Sequence, residues 1–351
     1  TDGRLVGIRW TDLGKTSAPA LVTERTLQNE YVMENFCEQK HTVSRDGWTL
    51  DHVLTGSDGL EISNVRFNNR LVLNSAKLVD WHVSYSREGG FGYSDAVGCP
   101  MFSSASVIAF NGPMLEMIVE NDEFVGFALV QDFRSPIWPF PCNYRYENRY
   151  EFYRDGRFRV IARNYGRGCG NDGTYRPVIR LDLAAVDEGS NTYSEWTGQE
   201  WLAWDTEQWQ LQTEETPYTP EGYQFKIDRA DGTGYYVEPD RGQFQEGGRG
   251  DSAYTYITAK HPDRDEGATD MVTIGPCCNS DYQQGPEKFL EPAEPLAGPE
   301  FIMWYVAQMK NDDTPGQEYC WADTVIENGK PRAITWPCSG GPMFVPFESE
   351  P

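Results

Sequence analysis

The chain is poor in histidine and in lysine. Its four histidines, His41, His52, His82 and His261, stand apart in 351 residues, none within four positions of another, so the paired spacings of a histidine-rich metal centre are missing. Only 8 of the 30 basic residues are lysine, and none falls between Lys77 and Lys226. No apolar run approaches the roughly 20 residues that a membrane-spanning helix needs. The start, Thr1-Asp2-Gly3-Arg4, has no charged-then-apolar leader, so a targeting segment is expected to have been removed or never present. There is no CxxC, no Cys/His cluster at zinc spacing, no GxSxG elbow and no P-loop. Zinc modules, hydrolase elbows and Walker-type nucleotide chemistry therefore lack support. No Asn-x-Ser/Thr acceptor occurs either, which favours a bacterial or other unglycosylated source.

What is present is apolar and acidic. Hydrophobic residues make up 39% and aromatics 13%, enough to bury a large core and to exclude a disordered chain. The length fits two or three average domains or one large all-β unit. Acidic residues number 54 against 30 basic, a net charge of −24. A phosphate backbone wants the opposite sign, so nucleic-acid binding is not expected, and no feature calls for a membrane. A carboxylate-coated surface suits a saline or extracellular setting; drift in a GC-rich genome gives the same bias. Eight cysteines are spread over the chain at Cys37, Cys99, Cys142, Cys169, Cys277, Cys278, Cys320 and Cys338. They read as disulfides and hence as a secreted or extracellular protein, the periplasm included. On the order of a hundred pairings are open to eight cysteines. The adjacent Cys277 and Cys278 most simply bond to two different partners, a strained vicinal bond being the alternative.

Short alternating runs bounded by turn residues dominate, and helical periodicity is hard to find. Leu60 to Phe67 alternates, Asn68-Asn69 turns it, and Arg70 to Asn74 returns. Arg149 to Tyr153 and Arg157 to Ala162 form a second hairpin around Asp155-Gly156, a pair that tolerates the positive φ of a tight turn. Further strands are expected at Ser106–Phe110, Glu123–Val130, Val178–Leu183, Gly234–Val237, Ala253–Thr258, Phe301–Gln308 and Met343–Pro346. Strands at this spacing imply an all-β sandwich or barrel. Residues 187–220, with Trp196, Trp201, Trp204 and Trp209, read as a long irregular excursion across the sheet. Residues 276–299 read as surface connection. Residues 242–251 read as a mobile glycine-rich loop ending in Arg249-Gly250-Asp251, a tripeptide that some adhesion proteins display and that also arises by chance. Gly168-Cys169-Gly170-Asn171-Asp172-Gly173 fits GxGxxG, but a strand follows where a dinucleotide site needs a helix, so it reads as a turn. Ser/His/Asp triads and paired glycosidase carboxylates have no positive signal.

Cys142-Asn143-Tyr144-Arg145-Tyr146, feeding into the second hairpin, resembles the quinone-forming Asn-Tyr-Asp/Glu-Tyr motif of the copper amine oxidases, with Arg145 in place of the acid. Other stretches resemble that family in the same order: residues 60–74 its paired opening strands, Gly98-Cys99 its Gly-Cys signature, Arg180-Leu181-Asp182-Leu183 its Arg-Leu-Asp-Leu strand. Ile257-Thr258 with Pro262-Asp263 resembles its Val-Thr…Pro-Asp-Glu stretch, and residues 301–306 with 342–347 its closing strands. The matches cover about residues 48–348. The resemblance implies a large antiparallel β-sandwich of the amine-oxidase catalytic type with long irregular connections over 48–351, with 1–47 as an extension packed on it. It also implies a homodimer, and the family's small N-terminal domains are expected to be absent.

The departures bear on function. The resemblance places the family's copper-binding histidines at about Gly173, Tyr175 and Asn311, and Gly, Tyr and Asn are not a Cu(II) donor set. Its acidic base falls near Ser86, with Glu88 or Asp95 as substitutes in a shifted register. Copper makes the quinone in that family, so Tyr144 is expected to stay an ordinary buried tyrosine, with neither copper nor quinone as cofactor. Tyr146 reads as sheet packing beside the site. Tyr175 and Arg176 are expected to enter the emptied pocket, and Asn143, Tyr146, Arg176 and Asn311 to line a ligand site. Asp182 matches an acid that helps hold a peripheral calcium, one oxygen donor of the six to eight that ion takes.

Three readings follow. In the first the protein has lost amine oxidation and uses the old cleft to bind a small cationic or amine-like ligand or a partner. In the second a cofactor-free enzyme works with Tyr144, Tyr175 and Glu88 or Asp95 as acid and base. In the third it is a primary-amine oxidase whose metal ligands are not recognised in the sequence.

Overall fold

A computed structural model describes residues 22–85, 91–100, 107–186, 191–239, 250–261, 275–277, 285–298 and 300–348. Two large, almost wholly antiparallel sheets face each other in a β-sandwich. The first runs in the order Lys40–Arg45, Trp48–Leu54, Leu60–Phe67, Arg70–Tyr85, Thr174–Leu183, Phe301–Val306, Tyr254–Ala259 and Gln208–Leu211. Phe91–Asp95 pairs beside the end of Arg70–Tyr85. The second runs Trp201–Ala203, Thr192–Trp196, Phe225–Asp228, Thr233–Glu238, Met343–Glu348, Phe158–Asn164, Arg145–Tyr153, Glu123–Arg134, Val107–Ala109 and Val97–Gly98. Met114–Glu120 lies beside Glu123–Arg134, and Trp321–Glu327 with Lys330–Trp336 forms a separate hairpin.

Turn chemistry sets the hairpins. Asn68 and Asn69 take φ of 48° and 68° between Leu60–Phe67 and Arg70–Tyr85, the two positive angles a tight hairpin turn needs. The loop 154–156 differs from the expectation: only Gly156, at φ 88°, is positive. Tyr153 accepts from the Gly156 N–H at 3.1 Å and donates to Arg157 at 2.9 Å, so Asp155 keeps an ordinary backbone conformation.

The core fills the space between the sheets. Trp48, 1% exposed, packs its ring on Phe67 at 4.8 Å, Phe152 at 5.0 Å and Phe158 at 6.2 Å, and its indole N–H donates to the Tyr153 carbonyl at 2.8 Å. Asn148 of the second sheet accepts from the Leu60 N–H of the first at 2.9 Å. Gly59, at φ 67°, must be glycine there because a Cβ would meet Asn148 Oδ1 at 2.2 Å. The far face of the first sheet is also covered: Val79, Val178, Tyr256, Ile302 and Trp304 form a second cluster against Phe289 and Leu290. Nine consecutive residues, Tyr175 to Leu183, are therefore buried, a run without the alternation of a half-exposed strand.

Several sequence expectations change. Glu24–Asn35 is a helix, N-capped by Thr23, whose hydroxyl accepts from the Thr26 N–H at 3.1 Å. Only Val32 in it is fully buried, so it has almost no apolar stripe to read. Among the described residues of 187–220 are three short strands, Thr192–Trp196, Trp201–Ala203 and Gln208–Leu211, that cross from the edge of one sheet to the edge of the other. Within 276–299, Pro286–Phe289 is a 3-10 turn that covers the first sheet, with Phe289 on Trp304 at 5.6 Å. Arg249 lies outside the described residues, and Asp251 is fully buried, accepting from the Tyr305 hydroxyl at 2.7 Å and the Gly341 N–H at 2.9 Å. It is not displayed to a receptor. Disulfides join Cys37 to Cys99, Cys142 to Cys169 and Cys320 to Cys338. These six use one another, so Cys277 and Cys278 do not reach two different partners among them; Cys278 lies outside the described residues. Among the described residues no helix is long and apolar enough to cross a membrane.

Replacing Trp48 by Ala removes the ring that both sheets share. Urea unfolding is expected to show a loss of about 3–5 kcal/mol, with Trp48→Phe losing distinctly less; a loss below about 1 kcal/mol for Trp48→Ala would contradict this packing.

Candidate functional site

Three strands of the two sheets bring phenols to one place. Tyr85 ends Arg70–Tyr85, Tyr144 immediately precedes Arg145–Tyr153, and Tyr175 is the second residue of Thr174–Leu183. The Tyr85 and Tyr144 hydroxyls are 2.8 Å apart, the Cys169 N–H donates to the Tyr85 oxygen at 3.0 Å, and the Tyr144 and Tyr175 rings meet edge to face at 6.4 Å. The Cys142–Cys169 bond ties the segment before Tyr144 to the glycine-rich turn. Tyr146 stacks on Trp81 at 4.0 Å and donates its hydroxyl to Asp95 at 2.9 Å.

Glycine makes this crowding feasible. A Cβ at Gly168 would meet the Tyr85 hydroxyl at 2.1 Å and the Tyr175 hydroxyl at 2.3 Å, and one at Gly173 would meet the Tyr85 ring at 2.9 Å. Asn311 holds the turn in place: it accepts from the Gly173 N–H at 2.8 Å, donates to the Gly170 carbonyl at 2.8 Å, and its own N–H donates to the Gly173 carbonyl at 2.9 Å. The Tyr175 side chain is fully buried.

Burial pushes the phenols of Tyr85, Tyr144, Tyr146 and Tyr175 above the ordinary tyrosine range, and neighbouring negative groups push further, Asp95 on Tyr144 and Tyr146 among them. The Asp95 carboxyl is pushed up to about 7, chiefly by burial and also by the charge of Asp80; the Tyr146 hydrogen bond and His82 oppose the rise. Beside it Asp80 accepts from the Ser94 hydroxyl and lies 2.9 Å from His82 Nε2.

The predicted residues divide. Tyr144, Tyr146, Tyr175 and Asp95 come together; Glu88 and Ser86 lie outside the described residues. Arg176 points away from the phenols, bonding Ser84 at 2.6 Å and Gln308 at 3.2 Å, because successive strand residues face opposite ways. Asn143 is half-buried and donates to the Pro141 carbonyl at 2.9 Å, so it stays out of the cluster. Arg145 pairs with Asp132 at 2.5 Å and stacks on Tyr165 at 4.2 Å. Asp182 is engaged by Lys260 at 3.0 Å, which also pairs with Glu300 at 2.8 Å. Among the described residues no three His, Cys, Asp or Glu side chains form a metal-holding group. Sequence reasoning missed Tyr85 and the Asp80–His82–Ser94 group; the parity of Trp81, Val83 and Tyr85 on one strand was the only signal for Tyr85.

Asn311 also borders a cavity of about 860 Å³, together with Asn171, Glu214, Lys310, Asp312 and Asp313. Three carboxylates against one ammonium make this cleft acidic. Asn171 donates to Asp313 at 3.1 Å, which ties the glycine-rich turn to the cleft wall.

No protein-family model matches the sequence, and no curated protein does. Solved structures do. The chain is similar to the lysyl oxidase of Pichia pastoris, with a TM-score of 0.51 and 15% identity over 98% of this chain and 56% of that one. It is similar to the amine oxidase of Aspergillus nidulans, with a TM-score of 0.52 and 13% identity over 100% of this chain and 56% of that one. The fold is thus amine-oxidase-like, and the chain spans little more than half the length of these neighbours.

Asp95 gives a pH signature. A carboxyl near 7 in the folded chain and near 3.8 unfolded keeps its proton in the folded state where the unfolded state has lost it. Its stabilisation is complete below the unfolded value and disappears as pH rises toward 7, with a slope of at most about 1.4 kcal/mol per unit. Asp95→Asn is expected to flatten the fall of thermal stability between about pH 4 and pH 7; an unchanged profile would contradict the assignment.

Proposed function

We propose that this chain is a secreted, disulfide-braced binding protein on an amine-oxidase-like sandwich, that it has lost copper and quinone chemistry, and that it binds a small cationic or amine-like ligand in the acidic cleft beside Asn311. The observation that carries the reading is the state of the three positions where the resemblance puts copper ligands. Gly173 has no room for an imidazole because the Tyr85 ring stands there. Tyr175 is a buried phenol held protonated, and both ends of the Asn311 carboxamide are already bonded to the turn. Such a set does not fit Cu(II), and without copper Tyr144 has no route to a quinone. The Lys260 ammonium between Asp182 and Glu300 supplies positive charge where a calcium would sit. The three disulfides support an oxidising compartment.

A second reading, cofactor-free acid/base catalysis, draws on Asp95, whose carboxyl titrates near 7 against the Tyr146 hydroxyl. The raised phenols of Tyr144 and Tyr175 weigh against it, since neither gives up a proton readily at neutral pH.

Purified protein incubated with Cu(II) in air is expected to stay colourless and unreactive toward phenylhydrazine, with the Tyr144 peptide at its unmodified mass; a pink, phenylhydrazine-reactive protein would establish amine oxidation instead. At low ionic strength, where surface charge is least screened, putrescine is expected to bind saturably in calorimetry, weakened about five-fold or more by Glu214→Gln with Asp313→Asn. No saturable heat, or equal affinity in the double variant, would overturn the binding reading.

A further inference from the structure

A second cavity, of about 380 Å³, lies at a cluster of hairpin turns and shares no lining residue with the acidic cleft. Its walls come from the turn between Leu60–Phe67 and Arg70–Tyr85, the loop after Arg145–Tyr153, the hairpin of Phe225–Asp228 with Thr233–Glu238, and the closing strand Met343–Glu348. Two arginines border it, Arg70 and Arg229. Arg229 is 8% exposed; one guanidinium N–H donates to the Leu71 carbonyl at 3.1 Å, and its Nε has no acceptor. Arg70 is exposed, and neither arginine makes an ion pair within 4 Å among the described residues. Two carboxylates also border the cavity, Asp155, which pairs with Arg157 at 2.7 Å, and the exposed Glu348, while nearby Asp231 accepts from the Thr233 N–H at 3.0 Å and its hydroxyl at 2.5 Å.

In a chain of net charge −24, an arginine buried without a carboxylate partner is unusual, because burial disfavours an unpaired charge. Burial lowers the Arg229 guanidinium, and the like charge of Arg70 lowers it further, while Asp231 and Tyr235 act the other way. An anion between the two arginines would relieve both effects. Guanidinium groups suit oxyanions because their N–H forks match two oxygens at once. Phe67, Tyr235 and Phe347 supply aromatic wall to the same cavity, so the site offers more than a place for a bare ion.

We propose that this cavity binds an oxyanion carried on an aromatic body, with Arg70 and Arg229 taking the oxyanion and the three rings taking the body. It is a site for an aryl phosphate or aryl carboxylate, separate in place from the cleft that would take a cation.

The test is titration of the full chain at low ionic strength with phenyl phosphate, inorganic phosphate and benzoate, followed by calorimetry. Phenyl phosphate and benzoate are expected to bind saturably, inorganic phosphate at least five-fold more weakly than phenyl phosphate, and Arg70→Gln to weaken phenyl phosphate about ten-fold or more. Arg70 is exposed, so that variant tests the site without disturbing the core; Arg229→Lys, which keeps the charge and loses the fork, is expected to weaken binding as well. Absence of saturable binding, an Arg70→Gln affinity equal to wild type, or inorganic phosphate as tight as phenyl phosphate would overturn the proposal. Unchanged putrescine binding in Arg70→Gln, measured alongside, keeps this site separate from the acidic cleft.

Discussion

Glycine at 168 and 173 lets the ring and hydroxyl of Tyr85 lie against the glycine-rich turn, and the rest of the site depends on that contact. With a side chain at either position the turn could not close over the phenols. Once it closes, the Cys169 N–H reaches Tyr85, Tyr85 reaches Tyr144, and Asn311 fastens the turn from the other side. Each phenol then sits where ionisation is unfavourable. The interior at this end of the sandwich is a packed aromatic core, and the open space lies beyond Asn311.

That division separates two kinds of chemistry. Inside, Tyr146 stacks on Trp81 and donates its hydroxyl to Asp95, whose carboxyl burial pushes up to about 7. Outside, the molecule presents two cavities of different character, one walled by Glu214, Asp312 and Asp313 with Lys310, the other by Arg70 and Arg229 among aromatic rings, with Asp155 and Glu348 at its border. The net acidity, read from composition alone, describes only the first. A total charge averages over a surface; recognition follows the local field.

Much of the fold could be read in the sequence, and for identifiable reasons. Alternation at Leu60 to Phe67 and positive-φ asparagines at Asn68 and Asn69 are local signals, so that hairpin could be placed to the residue. The helix Glu24–Asn35 could not, because a helix burying little more than Val32 leaves no periodic stripe. The strands Thr192–Trp196 and Trp201–Ala203 pair with each other as a short hairpin, and only Phe225–Asp228, farther along the chain, ties them to the sheet, so the short runs carry little pattern of their own. In the site, Tyr144, Tyr175 and Asn311 were reached through resemblance to a motif order. Tyr85 was not, since its place depends on the register of Arg70–Tyr85 against Thr174–Leu183, a non-local property. The same register sends Arg176 to the far face of the sheet, against the expectation that it would join Tyr175. The cysteine partners likewise needed the fold.

On the proposed reading, Tyr85 fills, around Gly173, Tyr175 and Asn311, the space that three imidazoles would need. Crystals grown or soaked in excess Cu(II), measured at the copper absorption edge, test it most directly. No anomalous peak is expected within bonding distance of residues 173, 175 or 311, and the Tyr144 ring is expected to be unmodified and touching Tyr85; an ordered copper there, with Tyr144 converted to a quinone, would overturn the proposal.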